Sequence, residues 1–233
     1  VNRDVTKRST MCDTYGLTFY GIQKYVKLEG HVDWVPKEQQ GGAITELARA
    51  IKFGLENSLQ LPNKGKEYLK QIATIASNMN KHIVYTVPSG FTVVHAYYKP
   101  TKRRSFAALF NNKELIFSTH SNNDVDRKAV EQAISPNWIH SLDASHLFCT
   151  LDRAINCGIY QFSMIHDSYG CPAPDVNIMR DLIREEFYAM HRGNQLQAFR
   201  DDVSKHLMLP LPEPPTGGEF DIEGVLDSDY LFA

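Results

Sequence analysis

Residues Met164–Gly170 read Met-Ile-His-Asp-Ser-Tyr-Gly, a short apolar run with a carboxylate near its end and a glycine just beyond it. The run from Ile159 to Ile165 predicts a β-strand, and Gly170 with Pro172 predicts a turn after it. A carboxylate at a strand end is a common ligand of Mg²⁺, which takes one or two carboxylates together with substrate phosphates. Asp167 is therefore a candidate metal ligand, although a lone aspartate in this position more often caps a turn.

The sequence on either side of this run predicts an α+β fold. Two pairs of β-rich stretches, each separated by a turn, predict hairpins over 83–98 and 105–118. Helical spacing of apolar or polar residues predicts helices over the first thirty residues, 44–55, 69–79, 178–187 and 194–206. Gly41-Gly42 predicts a break in the chain. Ser135-Pro136 predicts a helix start, with the helix ending at Gly158.

Composition sets limits on the class of protein. Of the 233 residues 42% are apolar and 22% are charged, enough for one or two domains with real cores. The 25 Lys and Arg against 27 Asp and Glu give a net charge of −2, which excludes a globally basic nucleic-acid-binding surface but not a local basic face. No apolar run approaches the roughly 20 residues of a membrane span. Cys12, Cys149, Cys157 and Cys171 lack C-x-x-C spacing and predict free thiols in a reducing compartment.

Side chains at four-residue spacing cross the amino-terminal segment: Arg3, Lys7, Met11 and Tyr15. On a helix each step turns about 40° beyond a full turn, so these residues lie within about 120° on one face. Lys7 and Tyr15 are then roughly 12 Å apart along the axis, about the span of an extended nucleoside triphosphate. The cations suit phosphate oxygens, Tyr15 suits a base or sugar, and Gly16 lets a base approach the backbone. Spacing alone favours a different interpretation, a solvated basic helix with Tyr15 packed in the core.

A second group of polar residues, His140, Asp143 and His146, follows Pro136 at a spacing of three. The two histidines lie about 120° apart around a helix axis, which disfavours a metal cluster. A more plausible role for His146 is that of a single hydrogen-bonding group facing a groove. His166, taken alone, is typical of an ordinary half-buried histidine.

Four segments together resemble the single-subunit, bacteriophage-type RNA polymerases found in phages and mitochondria. Val5–Ser9 with the following Tyr15-Gly16 resembles their nucleotide-binding helix, and Pro136–Leu147 resembles the segment that leads into their palm. His166–Gly170 resembles their second catalytic-carboxylate motif, and Asp227–Ala233 resembles their Phe-Ala terminus. The segments occur in the family's order and cover essentially the whole chain.

The resemblance implies a right-hand polymerase fold with helical fingers and part of a palm that contains a short antiparallel sheet. It implies fingers over residues 1–146, with the nucleotide-binding helix near the amino end, and palm over 147–233, with the catalytic Asp and the tail. The implied activity is DNA-templated RNA synthesis with two Mg²⁺ ions. The implied partners are a DNA template, the nascent RNA and ribonucleoside triphosphates.

The resemblance also implies roles for residues of the amino-terminal helix. Arg3 and Lys7 are similar to the family's triphosphate ligands, and Arg8 is a weaker candidate for the same role. Met11 and Gly16 complete the face that would meet the nucleotide.

Further roles follow for residues near the reacting groups. Tyr15 is similar to the residue that selects ribose over deoxyribose, and His146 to one that contacts the region of the sugar 2′-hydroxyl. His166 would lie near the 3′ end of the RNA, and Asp167 would hold both metal ions. Lys7, Tyr15, His146 and Asp167 are the implied catalytic set.

One departure from the family concerns its first catalytic Asp, which lies upstream of the nucleotide-binding helix and has no counterpart in this sequence. The promoter-binding and thumb regions are upstream as well, and the chain starts at Val1 rather than Met. We expect the chain to be inactive alone and to need an upstream segment, either as the second chain of a split polymerase or as part of a longer polypeptide. A cytoplasmic location is expected, in an infected bacterial host if the chain is phage-encoded.

Two alternatives remain open from the sequence. The first is a DNA polymerase of the same superfamily, but that group reads His-Asp-Glu where this chain reads His166-Asp167-Ser168, and it usually has an aromatic residue where Met11 stands. The second is a nucleic-acid-binding or assembly subunit that has lost catalysis. The retained Arg3, Lys7, Tyr15 and Asp167 argue against this second alternative.

Overall fold

The computed structural model describes residues 3–107, 113–119 and 124–228. Its helices are α1 Arg3–Asp13, α2 Phe19–Leu28, α3 Lys37–Ser58, α4 Gln60–Asn78, α5 Arg127–Asn156, α6 Val176–His191 and α7 Gln195–Leu207. Its strands are β1 Ile83–Thr86, β2 Thr92–His95, β3 Thr101–Ala107, β4 Lys113–Thr119, β5 Ser163–Ile165 and β6 Ser168–Gly170. Short 3₁₀ turns lie at Ala173–Asp175 and Ile222–Val225. Within these residues, no helix is both long enough and apolar enough to cross a bilayer.

The strands form three separate antiparallel hairpins, β1–β2, β3–β4 and β5–β6, in the described part of the chain. Ile83 pairs with His95 in the first hairpin, and Ile165 pairs with Ser168 in the third. The α+β class is confirmed. The first two hairpins overlap the predicted hairpins, and β5 lies within the strand predicted over 159–165, whereas β6 lies where the sequence predicts no strand. The predicted turn at Asn111-Asn112 lies outside the described residues.

Three apolar clusters hold the helices together, and α5 contributes to two of them. The largest joins α4, α5, α7 and β1, and in it Tyr85 meets Phe199 edge-on with ring centroids 5.0 Å apart. The second joins α2 and α3 around Val26 and Ile51. The third places the last turns of α5 against α6 and the β5–β6 hairpin, around Ala154. Because α5 takes part in the first and third clusters, it fixes the hairpin relative to the rest of the fold.

The start of α5 differs from the sequence-based expectation. The helix begins at Arg127, where the Asp126 carboxylate accepts a hydrogen bond from the Ala129 amide, and it continues through Pro136. Proline removes one backbone hydrogen bond from a helix. Val130 and Ile134 before Pro136 and Leu142 after it are buried, and this packing keeps the two halves of α5 in one continuous helix. The helix start expected at Pro136 is therefore wrong.

The predicted break at Gly41-Gly42 is also wrong, since α3 runs from Lys37 to Ser58 without interruption. Each glycine weakens a helix by about 1 kcal/mol relative to alanine. Burial of Ala48, Ile51 and Leu55 further along α3 offsets this cost.

The boundary predicted between fingers and palm, after His146, falls inside α5. The two portions are thus joined by a continuous helix, and the division itself stays a prediction. The terminal residues 229–233, including Phe232-Ala233, lie outside the described residues.

Candidate active-site cleft

Residues far apart in the sequence line one cleft of about 730 Å³. Tyr15 comes from the end of α1, and His166 and Asp167 come from the turn of the β5–β6 hairpin. One face of α5 forms the wall between them, with Ile139, His140, Asp143, Ala144, Leu147 and Phe148. The structure thus brings together Tyr15 of one predicted motif with His166 and Asp167 of another.

The turn that carries Asp167 is tight. His166 and Asp167 are the only residues between Ile165 and Ser168, which pair with each other. His166 has a φ of +54°, a left-handed conformation that costs a non-glycine residue of the order of 1–3 kcal/mol. Such strain persists only where the surroundings hold the chain in place. The exposed Asp167 carboxylate therefore lies on a constrained turn rather than on a loose loop.

Close packing within the hairpin depends on Gly170. A Cβ added to Gly170 would lie 2.8 Å from the Ser163 carbonyl oxygen and 3.2 Å from the Ser163 Cβ. A backbone oxygen cannot move aside as the end of a flexible side chain can. Glycine is therefore required here by the approach of the two strands, which in turn sets the geometry of the turn at Asp167.

The buried side of the hairpin is held by Tyr169 and His146. The Tyr169 hydroxyl donates to His146 Nδ1 at 2.8 Å, and His146 Nε2 donates to the Ile183 carbonyl oxygen at 2.9 Å. Burial lowers the pKa of His146, so the ring is neutral near pH 7. Burial also raises the pKa of Tyr169 to about 12, although the nearby Thr150 hydroxyl opposes this shift, so the Tyr169 hydroxyl keeps its proton.

His146 therefore lies beneath the hairpin and not on the wall of the cleft. It lines a separate, smaller cavity of about 350 Å³ together with Phe187 and Met190. Both of its ring nitrogens make hydrogen bonds within the protein. The expected contact between His146 and a nucleotide sugar stays a prediction, and in this structure it would require one of these two bonds to be exchanged.

The end of α1 is closed by a Schellman motif. The Leu17 amide donates to the Cys12 carbonyl at 3.2 Å and the Gly16 amide donates to the Asp13 carbonyl at 2.9 Å. Gly16 has a φ of +80°, the left-handed conformation that this motif assigns to glycine. Tyr15 is thus the cap residue, two positions beyond the last residue of α1.

Contacts from other helices fix this end of α1. Lys66 of α4 binds the Asp13 carboxylate at 3.2 Å, and Ser135 of α5 donates to the Thr14 carbonyl oxygen at 2.7 Å. The ring of His140 lies with its centroid 4.8 Å from that of Tyr15. Tyr15 remains 38% exposed and lines the cleft, so the structure does not place it in the core.

The basic residues of α1 have different surroundings. Arg3 and Lys7 are exposed, and neither they nor the exposed Met11 line the cleft. Arg8 binds Glu29 at 2.9 Å and lies over the Tyr25 ring, with its guanidinium carbon 4.2 Å from the ring centroid. The hydrogen bond that Arg8 donates to the Glu29 carboxylate raises the pKa of Arg8. Arg8 thus ties α1 to α2, which makes it less available to a triphosphate.

A metal ion would find only part of a site in the described residues. Asp167 and Asp143 both line the cleft, and Mg²⁺ takes one or two carboxylates together with water and phosphate oxygens. Across the described ranges no three His, Cys, Asp or Glu side chains are grouped as a metal site. The exposed Asp167 fits the role of one Mg²⁺ ligand.

Sequence reasoning missed several residues of the cleft. It considered Asp143 and His140 only as parts of a metal cluster, and it gave Phe148 and Tyr169 no role. The signal for the wall was present, because His140, Ala144 and Phe148 repeat at four-residue intervals and therefore share one face of α5. Tyr169 could have been found from its position two residues after Asp167. Side chains alternate along a strand, so Tyr169 lies on the opposite face from Ser168.

A helix-end tyrosine and a hairpin carboxylate on one cleft agree with the resemblance found in the sequence motifs. The family described as DNA-dependent RNA polymerase matches residues 1–210, and the chain therefore belongs to that family.

Several curated plant proteins are similar to the chain over its whole length. It is 29% identical to DNA-directed RNA polymerase 1, mitochondrial, of Arabidopsis thaliana, over 100% of this chain and 24% of that protein. It is 28% identical to DNA-directed RNA polymerase 2A of Nicotiana tabacum, over 100% of this chain and 69% of that protein. The chain thus spans about a quarter of the length of the mitochondrial relative.

The names of these relatives correct the expected location. The Arabidopsis thaliana proteins that match carry the descriptions mitochondrial and chloroplastic/mitochondrial. The expectation of a bacterial host cytoplasm is therefore wrong, because the similar proteins are assigned to organelles.

Proposed function

We propose that the chain forms the nucleotide-addition part of a DNA-directed RNA polymerase. In this role it takes ribonucleoside triphosphates as substrates and extends an RNA along a DNA template. The observation that carries the proposal is that Tyr15 and Asp167, which are far apart in the sequence, line one cleft. A carboxylate that can bind a metal ion and a phenol that can meet the sugar are two groups that suit this chemistry. Membership of the polymerase family supports the same function.

The proposed reaction is an in-line displacement. The 3′-hydroxyl oxygen of the RNA bonds to the α-phosphorus of the nucleotide and loses its proton, while the bond to the β-phosphate breaks and pyrophosphate leaves. Two Mg²⁺ ions, when bound, supply charge that stabilises the attacking and leaving oxygens. Asp167 is the proposed ligand from this chain. The neighbouring Asp143 makes the cleft more negative and so favours cations there.

Arg3 and Lys7 are the proposed ligands of the triphosphate. Both are exposed on α1, which ends at the cleft, and both carry the charge that neutralises phosphate oxygens. The ion pair between Arg8 and Glu29 holds α1 against α2, so Arg8 acts mainly by orienting the helix.

Tyr15 is the proposed determinant of sugar choice. Its hydroxyl is both a donor and an acceptor, and a site built to bond a substrate hydroxyl disfavours the analogue that lacks it. Contacts with His140 and the Ser135–Thr14 hydrogen bond hold Tyr15 at the cleft. His166, beside Asp167 in the turn, is the group proposed to lie near the 3′ end of the RNA.

The second metal-binding carboxylate is proposed to come from an upstream segment, in the same polypeptide or in a second chain of a split polymerase. That segment would also bring the promoter-binding and thumb regions. The single exposed carboxylate of the β5–β6 turn and the lack of a metal-ligand cluster among residues 3–107, 113–119 and 124–228 are consistent with a shared site.

The test is templated nucleotide incorporation by two preparations. The native polymerase, purified with any further segment it requires, should extend RNA with ribonucleotides in the presence of Mg²⁺. The isolated 233-residue chain should not, because the second carboxylate is proposed to come from an upstream segment. Preferential use of deoxyribonucleotides by the native enzyme would favour the DNA polymerase alternative. Template binding without incorporation by the native enzyme would favour a non-catalytic subunit.

A further inference from the structure

A chain of hydrogen bonds connects α6, α5 and β6 beneath the candidate metal ligand. The Tyr169 hydroxyl donates to His146 Nδ1 at 2.8 Å, and His146 Nε2 donates to the Ile183 carbonyl oxygen at 2.9 Å. Because Nε2 must carry the proton to reach a carbonyl, Nδ1 is left as the acceptor for Tyr169. The direction of each bond in the chain is thereby fixed.

The hydrogen bonds of Tyr169 and His146 lie in a water-poor environment. His146 is only 4% exposed, and it meets the Tyr169 and Phe187 rings edge-on, with centroid distances of 5.7 Å and 5.6 Å. A hydrogen bond is electrostatically stronger in such surroundings, and a buried polar group that loses its partner is costly. The Tyr169 hydroxyl is therefore firmly held by the His146 ring.

The β5–β6 hairpin, which lies above these hydrogen bonds, is not stable on its own. Each of its strands has three residues, and an isolated two-stranded hairpin is marginal at best in water. Its two-residue turn also contains the left-handed His166. The anchor of β6 to the helices is Tyr169, two residues after Asp167. A change at the Tyr169 hydroxyl is transmitted to Asp167 through one intervening residue, Ser168.

We infer that Tyr169 and His146 form a positioning pair that holds the Asp167 carboxylate at the cleft. This inference rests on the proposed function, and it assigns Tyr169 a role that its sequence motif did not predict. It also gives His146 a role different from contact with the sugar. Neither residue touches the reacting atoms, since both act by fixing the turn between β5 and β6.

The test compares Tyr169→Phe, which removes only the hydroxyl, with Tyr160→Phe as a control. Tyr160 lies in the same region and is 74% exposed. The first measurement is hydrogen–deuterium exchange of residues 163–170 in the metal-free native polymerase, which does not depend on activity. Exchange in this segment should become faster in Tyr169→Phe, with no change in α5 or α6, and Tyr160→Phe should match the wild type.

The second measurement is RNA extension as a function of Mg²⁺ concentration. Mutation of a residue that supports a metal ligand typically lowers metal affinity or activity by about 10–100-fold. Half-saturation in Tyr169→Phe should therefore need about tenfold more Mg²⁺. The ratio of kcat/KM for ribo- over deoxyribonucleotides should stay at the wild-type value, because Tyr15 is untouched. A fall in that ratio would overturn the inference in favour of a sugar-contact role.

Two variants of His146 separate its two nitrogens. His146→Asn can retain an acceptor near the position of Nδ1 for Tyr169, whereas His146→Gln can retain a donor near Nε2 for the Ile183 carbonyl and loses the acceptor. The rate of hydrogen–deuterium exchange in the hairpin and the Mg²⁺ requirement should both be closer to the wild type in His146→Asn than in His146→Gln. The opposite order would overturn the inference.

Other outcomes are also decisive. Unchanged hairpin exchange in Tyr169→Phe would overturn the inference, and so would faster exchange spread equally over α5 and α6, which would indicate a general loss of stability. Failure of the proposed function is distinguishable from either result. In that case Asp167→Asn would retain extension, while the exchange measurement on Tyr169→Phe would still report whether the hairpin is held.

Discussion

The rings of Tyr15 and His140 lie with their centroids 4.8 Å apart at a tilt of 48°, joining the end of α1 to the wall of the cleft. His140 shares that wall with Asp143, and the β5–β6 turn with Asp167 closes the other side. The residue proposed to choose the sugar and the residue proposed to bind metal are thus held by the same helix. Their relative position depends on α5.

Tyr15→Phe should retain most ribonucleotide incorporation and accept deoxyribonucleotides far better. The substitution removes the hydroxyl that would bond the ribose and keeps the ring that contacts His140. We expect the ratio of kcat/KM for ribo- over deoxyribonucleotides to fall by at least about tenfold.

Two variants control for this result in the native polymerase. Lys7→Ala should weaken the use of both sugars and leave their ratio nearly unchanged, because it removes a charge from the triphosphate end. Tyr20→Phe, at a tyrosine that is 74% exposed, should behave as the wild type. An unaltered ratio in Tyr15→Phe would show that Tyr15 has only a packing role.

Much of the site could be predicted from the sequence because its signals are local. An apolar run with a carboxylate near its end predicts β5 and the position of Asp167, although the pairing of β5 with β6 was not predicted. Gly16 provides the left-handed residue that ends the helix. The helical face expected to run from Lys7 to Tyr15 is interrupted, because α1 ends at Asp13 and of these two residues only Tyr15 lines the cleft.

Features that depend on tertiary packing could not be predicted in this way. The continuation of α5 through Pro136 depends on burial of Ile134 and Leu142 against other elements. The pairing of Arg8 with Glu29 joins residues of different helices. The burial of His146 depends on α6 and β6 together, which no local pattern of the sequence describes.

Ser135→Ala should destabilise the protein and loosen the end of α1. The Ser135 side chain is buried, and its hydroxyl donates to the Thr14 carbonyl oxygen at 2.7 Å, next to Tyr15. Loss of such a bond typically costs about 1 kcal/mol of unfolding free energy. Denaturant unfolding of Ser135→Ala and of the exposed Ser58→Ala provides the comparison, and equal midpoints for the two variants would contradict this account.

Gly170→Ala should destabilise the β5–β6 hairpin, since the new methyl group would meet the Ser163 carbonyl oxygen at 2.8 Å. Overpacking of this kind typically costs about 1–3 kcal/mol. Gly54→Ala is the matched control, because nothing lies within 4 Å of its added Cβ and it is inside α3. Thermal unfolding should show a lower Tm for Gly170→Ala and an equal or higher Tm for Gly54→Ala. The reverse order would exclude a close approach of the strands.

Stability should fall as the pH drops below about 6.5, partly because of His95. Burial lowers the pKa of His95 in the folded protein, although its bond to the Val130 carbonyl opposes this shift. The unfolded state therefore binds the proton more readily, and the free energy of unfolding decreases by up to about 1.4 kcal/mol per pH unit for this group.

The measurement is denaturant unfolding between about pH 7.5 and about pH 5.5. His95→Gln cannot take up the proton, so it should be less stable than the wild type at neutral pH but should lose less stability on acidification. An equal loss in both proteins would show that His95 does not contribute.

The central claim is that Asp167 is a catalytic carboxylate in the cleft that Tyr15 shares. Its most direct test is the rate of templated RNA extension by Asp167→Asn in the native polymerase, with Asp181→Asn as an exposed control on α6. We predict that Asp167→Asn keeps the fold and template binding while extension falls by about a thousandfold or more, and that Asp181→Asn matches the wild type. Extension by Asp167→Asn at a rate close to that of the wild type would contradict the account.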